Sequence, residues 1–278
     1  MDMVKVNGLT ALTVGNPKVM KGQARGVLTG VQHLLPATEY PRLAALRGEA
    51  TTLRTLCPFA GACAKPCLNT AGRGGIPQGR YAGTAFSNGV QHGRYKRTRR
   101  YDTDRAAYLA ALLRDIDKVK RAAAAADMDA AVRLNGTSDV DWEREHPDVV
   151  AHAAAQGVTL YDYTKDAARV RRGGYVHQTY SLDAGAAREI EALRLLRDGF
   201  NVAVVFNVRR GADLPATWRG FAVIDGDETD LRYTDPRGVV VGLRAKGRAI
   251  NDCSGFVRDA VTGDAVRRAA RAAEAAAL

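Results

Sequence analysis

Residues 183–208 read "DAGAAREIEALRLLRDGFNVAVVFNV", and this stretch decides the fold. The first part has the mixed apolar and charged texture of an amphipathic helix that stops at Gly199, a residue suited to ending helices. The second part, "NVAVVFNV", is a continuous apolar run of strand length, as expected for a strand covered on both faces. Working outward, the same alternation begins at Ala130. "AAVRL" reads as a strand, "EHPDVVAHAAAQG" as a helix ending at Gly157, "VTLYDY" as a strand, "KDAARVRRG" as a helix and "YVHQTY" as a strand. "FAVIDGD" and "GVVVGL" supply two more strands. Repeated strand-helix units predict an α/β fold with a parallel sheet and helices outside it. A complete or partial (β/α) barrel is the expected form, and an open doubly wound sheet is the alternative.

The first hundred residues have a different texture. Short strand-like pieces at Val4–Val6 and Leu12–Val14 lead through Gly- and Pro-containing segments into a Gly-rich loop. A helix is expected from about Tyr81 to Arg100. Another begins at Asp104 with Thr103 as its cap, where Tyr108, Leu109, Leu112, Leu113, Ile116 and Val119 recur at helical spacing. The terminal "DAVTGDAVRRAARAAEAAAL" reads as an Ala-rich helix. The chain is therefore expected to be one domain over 1–278, with 1–102 an N-terminal elaboration and 103–278 the β/α repeats.

No apolar run approaches the roughly 20 residues that cross a bilayer, and the opening "MDMVKVNGLT" lacks a secretory apolar core. No membrane association is expected, and the cytoplasm is the expected compartment. The net charge of +11 points to a polyanionic partner, most simply nucleic acid and by preference DNA. In "HGRYKRTRRYDTD", Arg94, Lys96, Arg97, Arg99 and Arg100 alternate with Tyr95 and Tyr101, a pattern able to follow phosphates while rings stack on bases. A helix end whose arginines pair with Asp102 and Asp104 is the plainer reading of the same run.

Three of the four cysteines, Cys57, Cys63 and Cys67, fall in "LCPFAGACAKPCLNTAGRGG", residues 56–75. In a reducing compartment such thiols serve as metal ligands more readily than as disulfides. The loop supplies three sulfur donors, and Cys253 in "INDCSGF", the only further thiol, is the expected fourth ligand of a four-thiolate metal centre. An iron–sulfur cluster is the expected cofactor, with zinc as the alternative. Simple burial of small thiols is the bland reading. The spacing departs from the CxxxCxxC of radical S-adenosylmethionine enzymes.

In parallel α/β folds, reactive groups sit after the strands. Those positions hold Asn135, Asp139 and Asp141, then Lys165, and later Asp225 and Asp227. Asp139 and Asp225, with Asp141 beside the first, are candidates for a nucleophile and a general acid/base working on a glycosidic bond. Helix capping and an acidic turn are the structural readings of the same residues. Lys165 and Lys246 are candidate phosphate contacts.

The order of the cysteine loop, "VRLNGTSDVDWE" and "YDYTKD" resembles the phage gene product 88 family. That family has a Cys-rich loop ahead of an R-x-x-x-S-G-D strand end and a Y-T-K strand end. The match covers about Leu56 to Lys165, and Thr137-Ser138-Asp139 stands where the family pattern has Gly-Asp. The resemblance implies a phage origin and a metal-bearing loop, and it supplies no reaction. A looser, fold-level similarity to tRNA- and DNA-guanine transglycosylases gives the most concrete expectation: exchange of guanine for a 7-deazaguanine in DNA, with the free base as co-substrate. A non-catalytic, metal-stabilised nucleic-acid-binding protein is the alternative.

Overall fold

The computed structural model describes residues 3–267. Chain order runs β1 (Leu12–Thr13), α1 (Pro17–Gln23), β2 (Val27–Gln32), α2 (Glu39–Leu46), α3 (Gly89–Thr103) and α4 (Arg105–Ala125). It continues through β3 (Asp129–Arg133), α5 (Trp142–Glu145), α6 (Pro147–Ala155), β4 (Thr159–Thr164), α7 (Ala167–Arg172), β5 (His177–Ser181), α8 (Ala186–Arg197) and β6 (Val202–Phe206). The last strands are β7 (Thr217–Trp218), β8 (Phe221–Asp225), β9 (Val240–Arg244), β10 (Ser254–Arg258) and β11 (Ala265–Arg267).

The strands line up as β1-β2-β3-β4-β5-β6-β9-β8-β7, and every pair from β2 to β8 along this order is parallel. No hydrogen-bonded pair joins the two ends of the order among the described residues, so the sheet is open. The α/β class expected from the alternation is the observed one.

Side chains alternate between the two faces of each strand, and this alternation builds the layers. Leu28, Ala130, Val132 and Leu160 face α4 and α6, where Leu112, Ile116, Val119, Ala123, Val149 and Ala153 are buried with them. Tyr180, Val202, Val204 and Phe206 meet Val170 of α7 and Ala192, Leu195 and Leu196 of α8. Each fully buried Leu, Ile or Val contributes about 1.5–3 kcal/mol, so the α4 stripe is a main tie between the N-terminal elaboration and the sheet. The opposite face is covered differently. The connection between β8 and β9 packs Leu231 and Tyr233 onto Val27, Ala131 and Tyr161. Within it, Asp230 takes ion pairs from Lys18 of α1 at 3.1 Å and Arg133 of β3 at 3.2 Å. Burial alone would raise that carboxyl, but the two cations hold it far below the usual carboxylate range.

Several local expectations change. The first of the two N-terminal helices starts at Gly89 rather than near Tyr81, because Asn88 caps it through Gln91 N–H at 3.0 Å. The second is capped by Asp104, whose Oδ1 accepts Ala107 N–H at 3.1 Å, and not by Thr103. Val4–Val6 form no strand, while β2, unread in the sequence, pairs with β3 over five positions. Of the expected C-terminal helix, Ala265–Arg267 are strand, paired with β10, and 268–278 lie outside the described residues.

Candidate functional site

The cysteine loop lies over the carboxyl ends of β3, β4 and β5, and each fastening has an identifiable source. Asp183, just past β5, is buried and receives Cys63 N–H at 3.0 Å on Oδ1 and Gly61 N–H at 3.0 Å on Oδ2. Gly61 has to be glycine for this approach, because a Cβ there would sit 2.9 Å from Asp183 Oδ2. The loop's entry is tied to the β3 end by Asp139 N–H donating to Leu56 O at 2.7 Å. Its far side is held by α3, where Asn88, Gln91 and Arg94 follow one another at three-residue spacing on one helix face. Asn88 donates to Gly74 O at 3.1 Å, while Gln91 and Arg94 both donate to Asn69 O at 2.6 Å.

The thiols of Cys57, Cys63 and Cys67 lie within electrostatic reach of Lys165, whose charge acts on all three. Lys165 is the residue after β4, and its ammonium donates to Ser181 O at 3.1 Å, Ser181 Oγ at 3.2 Å and Leu182 O at 3.2 Å. It also sits 5.1 Å from the Phe256 ring centroid. Burial pushes the Cys57 thiol up to about 12 and the Cys63 thiol up to about 11, and it raises Cys67 as well. The Lys165 charge opposes each of these shifts. Thiols in this state are poor nucleophiles unless a metal takes their protons. Asn69 N–H lies 3.5 Å from Cys67 Sγ, a donor aimed at sulfur. Among the described residues, no group of three His, Cys, Asp or Glu side chains is arranged to hold a metal ion. Cys253 is exposed and lines a depression with Ala184, Gly185, Ser254, Gly255 and Ala265, and the strand it precedes, β10, packs against Ala62–Ala64 around Cys63.

The carboxylates after the strands are engaged. Asp139 is buried, ion-paired with Arg169 and hydrogen-bonded to Lys165 N–H at 3.0 Å. Asp141 pairs with Arg172 at 2.8 Å. Asp225 pairs with Arg244 at 2.8 Å, and β4, β5, β6 and β9 stand between its strand and β3, so Asp139 and Asp225 are not brought together by adjacent strands. Lys246 pairs with Asp227 at 2.5 Å.

The basic segment divides by helix face. Arg94 is buried as a clamp on Asn69, with its Nη1 also 2.6 Å from Asn69 Oδ1. Arg97 points inward and donates to His33 O at 3.2 Å. Lys96, Arg99 and Arg100 are exposed, with Arg99 paired to Glu49 at 2.8 Å. Tyr95 and Tyr101 are buried, so their rings pack in the core and are not offered for stacking. Lys96, Arg97 and Arg100 line a depression of about 380 Å³ with Leu9, Thr10 and Tyr108.

A second feature, not singled out from the sequence, lies on the sheet face away from the large helices. Arg133 lies over the Tyr163 ring at 4.7 Å, and Arg94, Arg97 and Arg133 surround His33. Burial and those three charges push the His33 imidazole down to about 3, so it is neutral. Tyr163 Oη, Thr179 Oγ1 and Arg133 Nε are buried without a hydrogen-bond partner. The only sequence signal for this cluster was the polar residues interrupting otherwise apolar strands.

No helix among the described residues is long and apolar enough to cross a membrane. Searches of characterised proteins and of solved structures find no match. A family model described as gene product 88 matches residues 10–259, well beyond the cysteine loop and the Y-T-K strand end on both sides, and the chain belongs to that phage protein family.

Proposed function

We propose that this protein is a nucleic-acid-modifying enzyme whose reaction runs at the strand ends beneath the cysteine loop, with an iron–sulfur cluster held by Cys57, Cys63 and Cys67. The observation that carries this reading is the fastening of the loop that bears Cys57, Cys63 and Cys67 over the carboxyl ends of parallel strands, where α/β enzymes keep their chemistry. The donor types are those such a group uses: three desolvated sulfurs from one loop, with a backbone N–H near one of them, and Lys165 would offset the charge of a bound cluster. Zinc is the alternative. Once bound, the cluster would supply electron transfer or an open iron for substrate.

The polyanionic partner is DNA by preference, held along Lys96, Arg97 and Arg100 and their depression on the outer surface. The reading places the protein in the host cytoplasm, where both the nucleic acid and a reducing environment are found. Exchange of guanine for a free 7-deazaguanine base is its most specific form. That form needs a carboxylate free to attack, and the ion pairs on Asp139 and Asp225 favour chemistry at the cysteine mouth instead. The same ion pairs favour, as a second reading, a non-catalytic nucleic-acid-binding protein stapled by its metal.

Nucleoside mass spectrometry of DNA and RNA from cells expressing wild type or Cys57→Ser tests the proposal. A new nucleoside present only with wild type supports it. Unchanged nucleosides in both polymers overturn catalysis and leave the binding reading.

A further inference from the structure

We infer that the depression between α3, α4 and segment 9–11 is a pocket for one unpaired nucleotide, so that the nucleic acid is held as a single strand. The inference rests on the nucleic-acid reading above and deepens it. The walls of the depression are fixed by identifiable contacts. The N–H groups of Thr10 and Ala11 donate to Asp115 Oδ2 at 2.7 Å each, and that of Leu12 at 3.1 Å. One buried carboxylate of α4 thus pins segment 9–11, and its charge is spent on backbone. On the α3 side Gly93 leaves the wall bare, since a Cβ there would meet only the Arg97 guanidinium, 3.7 Å from Nη1. The resulting space of about 380 Å³ falls within the range of small-molecule sites, about 300–1,000 Å³.

The lining has two chemistries. Lys96, Arg97 and Arg100 supply three cations, no acidic residue joins them, and none of the three takes an ion pair among the described residues. Their neighbour Arg99, by contrast, is paired with Glu49. Arg97 spends its Nε on His33 O at 3.2 Å, which leaves both Nη groups for a ligand. Burial pulls its guanidinium below the ordinary value with no carboxylate to oppose the shift, so it is a desolvated cation in want of an anion. Phosphate answers this part of the lining. Leu9, Tyr108 and Ala111 make the other part apolar. A duplex keeps its bases stacked inside and offers such a site phosphates alone, leaving the apolar part wet. An unpaired nucleotide offers phosphate and base together. Arg94, which grips Asn69 of the cysteine loop, stands three residues before Arg97, about 4.5 Å along the helix, so a strand leaving the depression along α3 reaches that loop.

The test uses the full chain and fluorescence anisotropy, with a labelled oligothymidylate and a duplex of the same length as probes. The inference predicts roughly tenfold tighter binding of the single strand, the scale of one base contact, although the duplex carries more charge per unit length. Thymidine 5′-monophosphate should displace the strand, and deoxyribose 5-phosphate, which lacks only the base, should not. Gly93→Leu fills the depression, alters no charge and replaces a helix-interior glycine by a better helix former. It should keep or raise the melting temperature and bring the single strand down to the affinity of the duplex. Equal affinity for strand and duplex, displacement by deoxyribose 5-phosphate as effective as by the nucleotide, or a folded Gly93→Leu protein that keeps the preference would overturn the inference and leave the nucleic-acid reading standing. If Gly93→Leu fails to fold, the two displacement curves decide alone. Binding of neither probe would overturn the nucleic-acid reading, and this inference with it.

Discussion

The carboxylate of Asp183 holds the cysteine loop through the backbone N–H of Cys63, 3.0 Å from Oδ1. One side chain at the end of β5 thus fixes where the second thiol stands relative to the sheet, with its other oxygen on Gly61.

Replacing Asp183 by Ala leaves the amides of Gly61 and Cys63 unpaired and is expected to cost about 2–3 kcal/mol of stability. Gly61→Ala should act in the same direction by pushing the carboxylate away. Urea denaturation measures the loss, and hydrogen exchange at residues 61–63 should rise in both variants. Unchanged exchange there would mean that the loop is held by other contacts.

Asp139 and Asp225 separate structural from chemical roles. Asp139→Asn leaves the buried Arg169 without its counter-charge and should destabilise the fold by about 3–5 kcal/mol. Asp225→Asn breaks a more open pair with Arg244 and should cost about 1 kcal/mol or less. Denaturation midpoints decide this. A stable Asp139→Asn protein that has lost activity would return that carboxylate to the catalytic role.

For nucleic acid, the helix face predicts the outcome. Lys96→Ala and Arg100→Ala should weaken DNA binding alike across sequences, and each should reduce the salt slope by about one. Arg94→Ala should instead loosen the cysteine loop, since Arg94 grips Asn69 O at 2.6 Å. Affinity measured against salt concentration, beside melting temperature, separates the two effects.

Acid sensitivity has an identifiable contributor. His146 is packed against Trp142, with its Nε2 2.9 Å from Tyr101 Oη; burial, aided by the Arg105 charge, pushes its imidazole down to about 4. A depressed folded value means that the unfolded chain binds the proton first. Its contribution is therefore full above about pH 6.5 and is lost as pH falls toward 4, on the order of 2 kcal/mol. Denaturation at pH 7 and pH 5 should show the decline, and His146→Gln should flatten it.

The repeats from β3 to β6 were legible because the strands are apolar runs and the intervening helices end at Gly157 and Gly199, both with positive φ. β2 was not legible: all six residues are buried, yet Thr29, Gly30 and Gln32 break the apolar run that marks a covered strand. Missing it hid the fact that the cysteine loop follows a parallel strand of the sheet. Strand-end positions were found correctly from sequence, but their partners were not. Asp139 meets Arg169, thirty residues on, and Asp225 meets Arg244, so local spacing could not tell a free carboxylate from a paired one. Arg94 and Lys96 looked equivalent in a basic run, and only the helix face separates a loop clamp from a surface charge.

Iron and acid-labile sulfide per chain, after anaerobic reconstitution of wild type and the four single Cys→Ser variants, test the central claim most directly. The account predicts about four irons per chain in wild type and Cys253→Ser, and a collapse in Cys57→Ser, Cys63→Ser and Cys67→Ser. A wild-type protein that takes up no iron, or a trio whose replacement leaves iron content unchanged, would contradict it.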